Sequence, residues 1–582
     1  MSPTEILKQY WGYDAFRPLQ KDVVDSIISN DKVLGILPTG AGKSICYQVP
    51  VLHLNKKAIV ISPLISLIED QINNLQKRGI ACINLSGPMG FRDVERLLGN
   101  FQAGPHLFLF CSPERLQSKL FKEFLPYLPY EILVVDEAHC VSDWGDYFRP
   151  TYRSILSSLE LNPPKKTIAL TASAPPVVRQ HILQYLDIHK SQIISGKIRR
   201  PNIHLKVVPT ETPEIPCAEE LNSKGSIVYA HFRNKSERFA AFLNAKGKVA
   251  KAFHGGMTTA SRASILEEWL QESIDTVVAT SAFGMGIDKP NVRQVFHINM
   301  PASLEHYYQE SGRAGRDGEL SEAVFFFNDE MVDQDREIAK NSWPDPELLE
   351  RVYQKTCSLH QVAYNDLSEY FQDFKWPMLS SFFEADKKVR KALEVLEKYG
   401  FISFHLSKRD SIQWKETDIH ALPLEELTPS AEAYLRSHTH IEPLKITPVP
   451  AALKKTDLET LSKLNFIHFL AKGSVTISFP KQRPKNIFSF FPKQDYLKGI
   501  KRKLSQKSWM HYFLHTQQCL WQVLELYFGE KPGKPCGHCT NCKKGLISDV
   551  PYINEEYIET HIKTMEEFTL FEPLIRYSKN QE

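Results

Sequence analysis

The chain has 582 residues, 42% of them hydrophobic and 24% charged. These are proportions of soluble globular domains with real cores, and at about 150 residues per domain roughly four are expected. Net charge is only +3, from 71 basic and 68 acidic residues, so overall balance says little about partners and charge must be read locally. No apolar stretch approaches the ~18 residues of a membrane span. The opening MSPTEILKQYWGYDAF lacks the basic-then-apolar pattern of a secretory signal, so an intracellular protein, cytoplasmic or nucleoid-associated and without a membrane partner, is expected.

In chain order, KAIVIS (57–62), HLFLFCS (106–112), EILVVDE (131–137) and TIALTA (167–172) read as buried strands, as do SIVYAHF (226–232), TVVATS (276–281) and QVFHINM (294–300). Runs apolar on both faces and separated by helical patterns predict parallel sheets covered by helices, in two successive α/β blocks. The Pro- and Glu-rich stretch 206–225 reads as the join into the second block. After NSWPDPE (341–347) the texture changes. In 386–406, Val389, Leu393 and Leu396 recur at helical spacing, Gly400 ends the helix and FISFHL follows as a strand; 457–480 is a weaker version. Helix followed by a short hairpin is the outline of a winged helix, with another α+β packing domain as the alternative.

LPTGAGKS (37–44) is nearly the phosphate loop G-x-x-x-x-G-K-[ST], with Leu37 in place of the first glycine. Gly40 and Gly42 would let the backbone approach phosphate oxygens, Lys43 would supply charge, and Ser44 a hydroxyl for Mg²⁺. LVVDEAH (133–139) is an apolar strand ending in paired carboxylates. There Asp136 would hold Mg²⁺, through water, and Glu137 would orient and deprotonate an attacking water. YYQESGRAGRDG (307–318) offers Arg313 and Arg316 from the second block to the γ-phosphate charge of the transition state. Taken singly these are a Gly-rich turn, a solvated strand end and surface charge. Together they place ATP in a cleft between two blocks whose opening and closing make a motor.

On these motifs the chain resembles the RecQ family of superfamily 2 DNA helicases, over about residues 1–340 and 506–545, and in that superfamily the loop often lacks its first glycine. GYDAFRPLQ (12–20) resembles the family's adenine-reading motif, which implies that Tyr13 stacks on the base and that Arg17 and Gln20 contact it. The resemblance also implies that Thr39 and Ala41 belong to the nucleotide loop and that Gln309 is catalytic beside the arginines. VISPLISLIEDQ (60–71), CSPERL (111–116), LTASA (170–174), AFHGGM (252–257) and 277–293 resemble strand-contact and coupling motifs. DEAHCVSDWGDYFRPTY (136–152) resembles the loop coupling DNA contact to hydrolysis, with Trp144, Phe148 and Arg149 carried over; Asp143, Asp146 and Tyr147 stand where the family usually has Gln, His and Asp.

Cys519, Cys536, Cys539 and Cys542 follow the pattern C-x₁₆-C-x₂-C-x₂-C, which suits a tetrahedral structural Zn²⁺, with a redox-active pair as the alternative and His538 as a bystander or substitute ligand. The remaining six cysteines read as small apolar fillers. Segment 481–507 holds nine Lys/Arg against Asp495, interleaved with Phe488, Phe490, Phe491 and Tyr496, and reads either as a nucleic-acid surface or as a solvated linker.

The resemblance implies two tandem RecA-like parallel-sheet motor domains (1–197 and 198–340). A helical, winged-helix-like α+β region with a basic C-terminal segment (341–505), a zinc-binding module (506–548) and a tail (549–582) would follow. In the commonest family layout the zinc module directly follows the motor; here about 165 residues intervene. The expected activity is an ATP-, Mg²⁺- and Zn²⁺-using DNA helicase moving 3′ to 5′ on single-stranded DNA. It would unwind forked or tailed duplexes in repair or recombination, as a monomer or weakly self-associating chain. An RNA helicase and a degenerate, non-motor DNA-binding scaffold are the alternatives.

Overall fold

The computed structural model describes residues 1–545, apart from 88, 143–149, 285–288, 342, 360–369, 376–385, 407–409, 415–423, 438–445, 465, 471–473, 480–483 and 490–491. Trp144, Phe148, Arg149, part of the 277–293 motif, Phe490, Phe491 and the tail expected at 549–582 therefore lie outside the described residues. The chain divides into two compact units, one of Met1–Arg336 with Lys501 onward, the other Glu337–Ile500.

The first unit contains two parallel sheets. The amino-terminal one, in the order β3-β4-β2-β5-β6-β1-β7, joins β1 (Lys32–Ile36), β2 (Lys57–Ile61), β3 (Cys82–Asn84), β4 (Phe108–Cys111), β5 (Tyr130–Val135), β6 (Lys166–Thr171) and β7 (Ile193–Ser195). Successive residues of its central strands enter opposite cores. Ile59, Ile61, Leu133 and Val135 pack on one face, while Ala58, Val60, Ile132 and Val134 pack on the other. Both faces are thus dry, which is why these strands read as continuous apolar runs. The second sheet, in the order β10-β11-β9-β12-β13-β8, comprises β8 (Ile203–Pro209), β9 (Ser226–Tyr229), β10 (Ala250–Phe253), β11 (Thr276–Ala279), β12 (Gln294–His297) and β13 (Ser321–Phe327).

The reading of 206–225 as a join is corrected here. Its first residues belong to β8, which pairs with β13 over seven residues, and a helix, Glu214–Glu220, follows. Strand β8 is an edge strand alternating buried and half-buried positions, so it lacks the dense apolar run of the central strands. The four-cysteine region packs on this second sheet: Trp521, Leu524 and Tyr527 share a core with Ile203 and Leu205. The Trp521 indole N–H donates to Ile203 O at 3.1 Å.

The second unit is α+β. Val389, Leu393 and Leu396 of the helix Asp386–Lys398 are buried, as their spacing predicts, against the helix Pro346–Leu359. Among the described residues the expected local hairpins do not form. Strand β15 (Ser403–Leu406) pairs with β19 (Ser474–Phe479), which also pairs with β14 (Tyr370–Lys375), and β16 (Ser411–Trp414) pairs with β18 (Ile467–Leu470) and with β17 (Ile446–Pro448), all antiparallel. Paired residue numbers have the same sum in the β15–β19 and β16–β18 ladders. The two helix-plus-strand segments are therefore arms of one interrupted ribbon, with the chain between Trp414 and Ile467 inserted at its tip. In that insertion Leu427, Leu435 and Leu461 share one small core with Ile412, Trp414 and Ile467 of the ribbon.

The basic segment is also corrected. It is not a solvated linker: a helix, Lys493–His515, begins within it. Of its described aromatics, Tyr496 offers no stacking face. Tyr496 is 0% exposed, its hydroxyl donates to Pro344 O, and Phe488 packs against it.

The ribbon register predicts that 415–466 can be replaced by Asn-Gly, a two-residue turn suited to a hairpin closing at the Trp414–Ile467 pair. With Ile412, Trp414 and Ile467 changed to Thr to avoid exposing apolar surface, the shortened chain should unfold cooperatively and resist proteolysis between 386 and 500. Rapid cleavage there would contradict the single-ribbon topology.

Candidate nucleotide site and zinc centre

The phosphate loop leaves β1, the acidic pair leaves β5, and Thr171 ends β6, which lies between them. Their carboxyl ends meet at one edge of the sheet, where parallel α/β sheets place ligands. Leu37 explains the missing glycine. Its N–H donates to Thr171 O at 3.0 Å and its side chain is 0% exposed in the core, so this position continues the sheet ladder and turns away from any phosphate. The tight turns come next, at Gly40 and Gly42 with φ of 83° and 73°. The helix Ile45–Leu54 then starts after Ser44, aiming its amino-terminal dipole into the cavity.

That cavity, about 540 Å³, is lined from both lobes: by Lys43, Ser44, Asp136 and Glu137 on one side and by Gln309, Arg313 and Arg316 on the other. Tyr13, Arg17 and Gln20 line it as well. Tyr13 is 51% exposed, free to meet a flat ring. The other two are engaged with the loop. Arg17 Nη1 donates to Gly40 O at 2.6 Å, and Gln20 Nε2 donates to Ala41 O at 2.8 Å and Gly42 O at 3.1 Å. Gln20 Oε1 accepts from Arg17 N at 2.9 Å. In this conformation the Gln20 amide braces the phosphate loop, and its N–H groups would have to be released to read a base.

Glu137 occupies the left-handed region, φ 46°, a conformation that costs a non-glycine residue on the order of 1–2 kcal/mol. The bend brings its carboxylate to Lys43 Nζ at 3.0 Å and His139 Nδ1 at 3.3 Å. His139 in turn reaches Thr171 Oγ1 at 3.0 Å, and that hydroxyl donates to Ser173 O at 3.0 Å. Burial alone would raise the Glu137 pKa, but Lys43 and His139 outweigh it and hold the carboxyl well below its usual range. Asp136 is pushed up to about 6, first by burial and then by the neighbouring Glu137 charge. The paired carboxylates and the Ser44 hydroxyl, all lining the cavity, form an oxygen donor set that fits a divalent cation, which Asp136 and Ser44 would hold.

Across the cavity, Arg316 lies over the phosphate loop: a Cβ built on Gly40 would sit 2.9 Å from Arg316 Cγ. Thr39 Oγ1 donates to Gly312 O at 3.1 Å, and a Cβ on Gly312 would sit 2.5 Å from that hydroxyl. The seam closes because both residues are glycine. Arg313 also lines the cavity, with its guanidinium near Gly284. Sequence reasoning missed His139 as the partner of Glu137, and Leu67 and Gln71 in the cavity wall, although all three stand inside quoted motifs.

At the second site the ligand atoms of Cys519, Cys536, Cys539 and Cys542 all lie within 4.8 Å of one another. Cys536 and Cys542 sulfurs are 3.6 Å apart, near the edge of about 3.8 Å expected for tetrahedral Zn–S₄ and far beyond a disulfide. Cys536 N–H donates to Cys519 Sγ and Cys539 N–H to Cys536 Sγ, each at 3.3 Å, so backbone amides orient two of the sulfurs that would bind the metal. Bonds from the Cys536 and Cys539 thiols favour ionisation of Cys519, while the protons left on Cys536 and Cys539 are held more tightly; a divalent cation relieves that conflict. His538 lies outside the sulfur cluster, stacked on His204 with centroids 4.5 Å apart.

Two outcomes follow. Leu37→Gly should cost about 3–5 kcal/mol in denaturant unfolding of the nucleotide-free chain without tightening nucleotide binding; a neutral or stabilising effect would refute the packing role. Thiol modification should release about one Zn²⁺ per chain, read with a colorimetric chelator, and perturb the near-ultraviolet dichroism of the buried Trp521.

Family profiles match three segments: DEAD/DEAH box helicase at residues 17–181, helicase conserved C-terminal domain at 211–318, and RecQ zinc-binding at 490–543. The chain is similar to the ATP-dependent DNA helicase RecQ of Pasteurella multocida, 37% identical over 63% of this chain and 57% of that one. It is similar to RecQ of Bacillus subtilis, 36% identical over 58% of each. It is also similar to a putative ATP-dependent RNA helicase of Acanthamoeba polyphaga mimivirus, 35% identical over 63% of this chain and 69% of that one. The chain thus spans less than three fifths of the length of the two bacterial relatives. With helicase profiles on both parallel-sheet lobes and the family's zinc-binding profile on the four-cysteine region, the chain belongs to the RecQ family of superfamily 2 helicases.

Proposed function

We propose that this chain is an ATP-dependent DNA helicase, in which ATP bound between the parallel-sheet lobes drives their relative motion. That motion would draw a single strand in the 3′ to 5′ direction and part forked or tailed duplexes, in DNA repair or recombination. The observation that carries the reading is the placement of Arg316 across Gly40, with the Thr39–Gly312 bond beside it. A cation from one lobe over the phosphate loop of the other makes hydrolysis depend on lobe closure.

Lys43 is paired with Glu137. A triphosphate seated on the loop competes for the ammonium, and as Lys43 turns to it Glu137 loses one of the two partners that depress its pKa. The carboxylate therefore gains basicity as substrate arrives, while His139 keeps it oriented. It accepts a proton from the attacking water as the new P–O bond forms and the bond to the β-phosphate oxygen breaks. Mg²⁺ held by Ser44 and Asp136 would neutralise charge on the phosphate oxygens. Arg316 stabilises the charge spreading over the transferred phosphoryl group, and Tyr13 offers a face to the base. Zn²⁺ on the four cysteines would staple the helix Leu520–Tyr527 to the loop that follows it.

DNA is favoured over RNA by the RecQ zinc-binding match and the bacterial RecQ relatives. RNA remains the second reading because the mimivirus relative is named as a putative RNA helicase.

Single-stranded DNA should stimulate ATP hydrolysis more than RNA of the same length and sequence; the reverse order would favour the second reading. Lys43→Ala should abolish turnover, and Glu137→Gln should lower kcat by about 10²–10⁴-fold with nucleotide still bound. Arg316→Ala should lower it by about 10³-fold or more. A 3′-tailed duplex should be separated and a 5′-tailed one should not.

A further inference from the structure

The turn carrying both arginines is itself held from behind. Arg200 Nη1 donates to Gly312 O at 2.6 Å and Nη2 donates to Gly315 O at 2.5 Å. Asn202 Nδ2 adds bonds to Gly315 O at 2.8 Å and Glu319 O at 3.0 Å. Gly315 sits at φ 55°, and a Cβ there would lie 2.4 Å from Asn202 Nδ2, so the turn and its holder interlock. Gly312 O is the oxygen that also accepts from Thr39 of the phosphate loop. One carbonyl is thus shared by the holder and by the opposing lobe.

The residues just before Arg200 are anchored on the zinc side. Ile198 N–H donates to Glu530 Oε1 at 3.0 Å. Arg199 pairs with Glu525 through Nε at 2.8 Å and Nη2 at 2.9 Å, and donates to Lys534 O at 2.6 Å. Glu525 belongs to the helix that starts at Leu520, next to Cys519. Arg200 therefore projects from a backbone fixed on its other side, and a short, charge-assisted fork fixes two carbonyls of the turn.

We propose that Arg200 is a positioning residue for hydrolysis: it holds the Gly312–Gly315 turn so that Arg316 meets the γ-phosphate. The proposal rests on the reading of Arg316 given above. Arg200 is not among the residues lining the cavity, so its effect passes through Arg316. A displacement of about 1 Å at such a group is enough to cost on the order of 10²-fold in rate.

The test uses the full, zinc-loaded chain with saturating single-stranded DNA. It measures kcat for ATP and, separately, the affinity for a fluorescent ADP analogue. Arg200→Ala should lower kcat by about 10–100-fold and change the affinity by less than about threefold. Arg200→Lys should not restore the rate, because an ammonium cannot span both carbonyls as the guanidinium fork does. The double variant Arg200→Ala/Arg316→Ala should be no slower than Arg316→Ala alone. Multiplied losses in the double variant, or a loss of affinity with kcat retained, would overturn the proposal. Wild-type turnover by Arg316→Ala would instead sink the reading of Arg316, and the proposal with it. If Arg200→Ala does not fold, Asn202→Ala, which removes only the bonds to Gly315 and Glu319, should show the same pattern with a smaller loss; its absence there would also overturn the proposal.

Discussion

The structure turns on a contact only glycine permits. At Gly40 and Gly312 the two lobes approach so closely that a Cβ on either would meet Arg316 or Thr39 within 3 Å. The arginine-bearing turn can therefore reach the phosphate loop, and the cavity acquires walls from both lobes. A side chain at either position would wedge the seam and move Arg316 away from the phosphate loop. The conformational freedom of glycine matters less at Gly312, whose φ is ordinary at −66°, than the space it leaves. At Gly40, with φ 83°, both matter.

Within the first lobe the chemistry is stored as an electrostatic exchange. Lys43 and Glu137 neutralise each other in a mostly buried setting, where breaking a pair is costly unless another partner arrives. A phosphate is such a partner. The left-handed backbone at Glu137 aims the carboxylate at Lys43, and the His139–Thr171–Ser173 chain also braces it. The same ladder explains why the missing glycine does no harm. Leu37, the residue after β1, adds one more rung to the ladder with Thr171, and the glycine turns come only after it.

The zinc-binding region takes part in the architecture of the second lobe. Trp521 fills the core beneath β8 and donates to its backbone, Thr540 Oγ1 accepts from Val207 N–H at 3.0 Å, and Arg199 is locked by Glu525. A metal held by the four cysteines would thus bear on an edge strand and the segment entering it as well as on one short loop. The second unit uses a different device: a long-range antiparallel ribbon whose two halves keep a single register across an interruption.

The amino-acid sequence by itself determined the chemistry held in short contiguous segments: the phosphate loop, the carboxylate pair, the arginine turn and the cysteine spacing. Each needs particular residue types at fixed offsets, so the pattern survives without knowledge of the fold, and buried central strands are similarly legible because both faces must be apolar. Tertiary structure alone decided that Ile203–Pro209 is an edge strand, that two helix-strand segments form one ribbon, that Tyr496 is core, and that Arg200 grips the arginine turn. The reason is physical. An edge strand has half-wet faces like a loop, and an aromatic between lysines has the same composition whether it stacks or packs. An arginine whose partners are two carbonyls more than a hundred residues away leaves no local trace, because backbone carbonyls carry no residue identity.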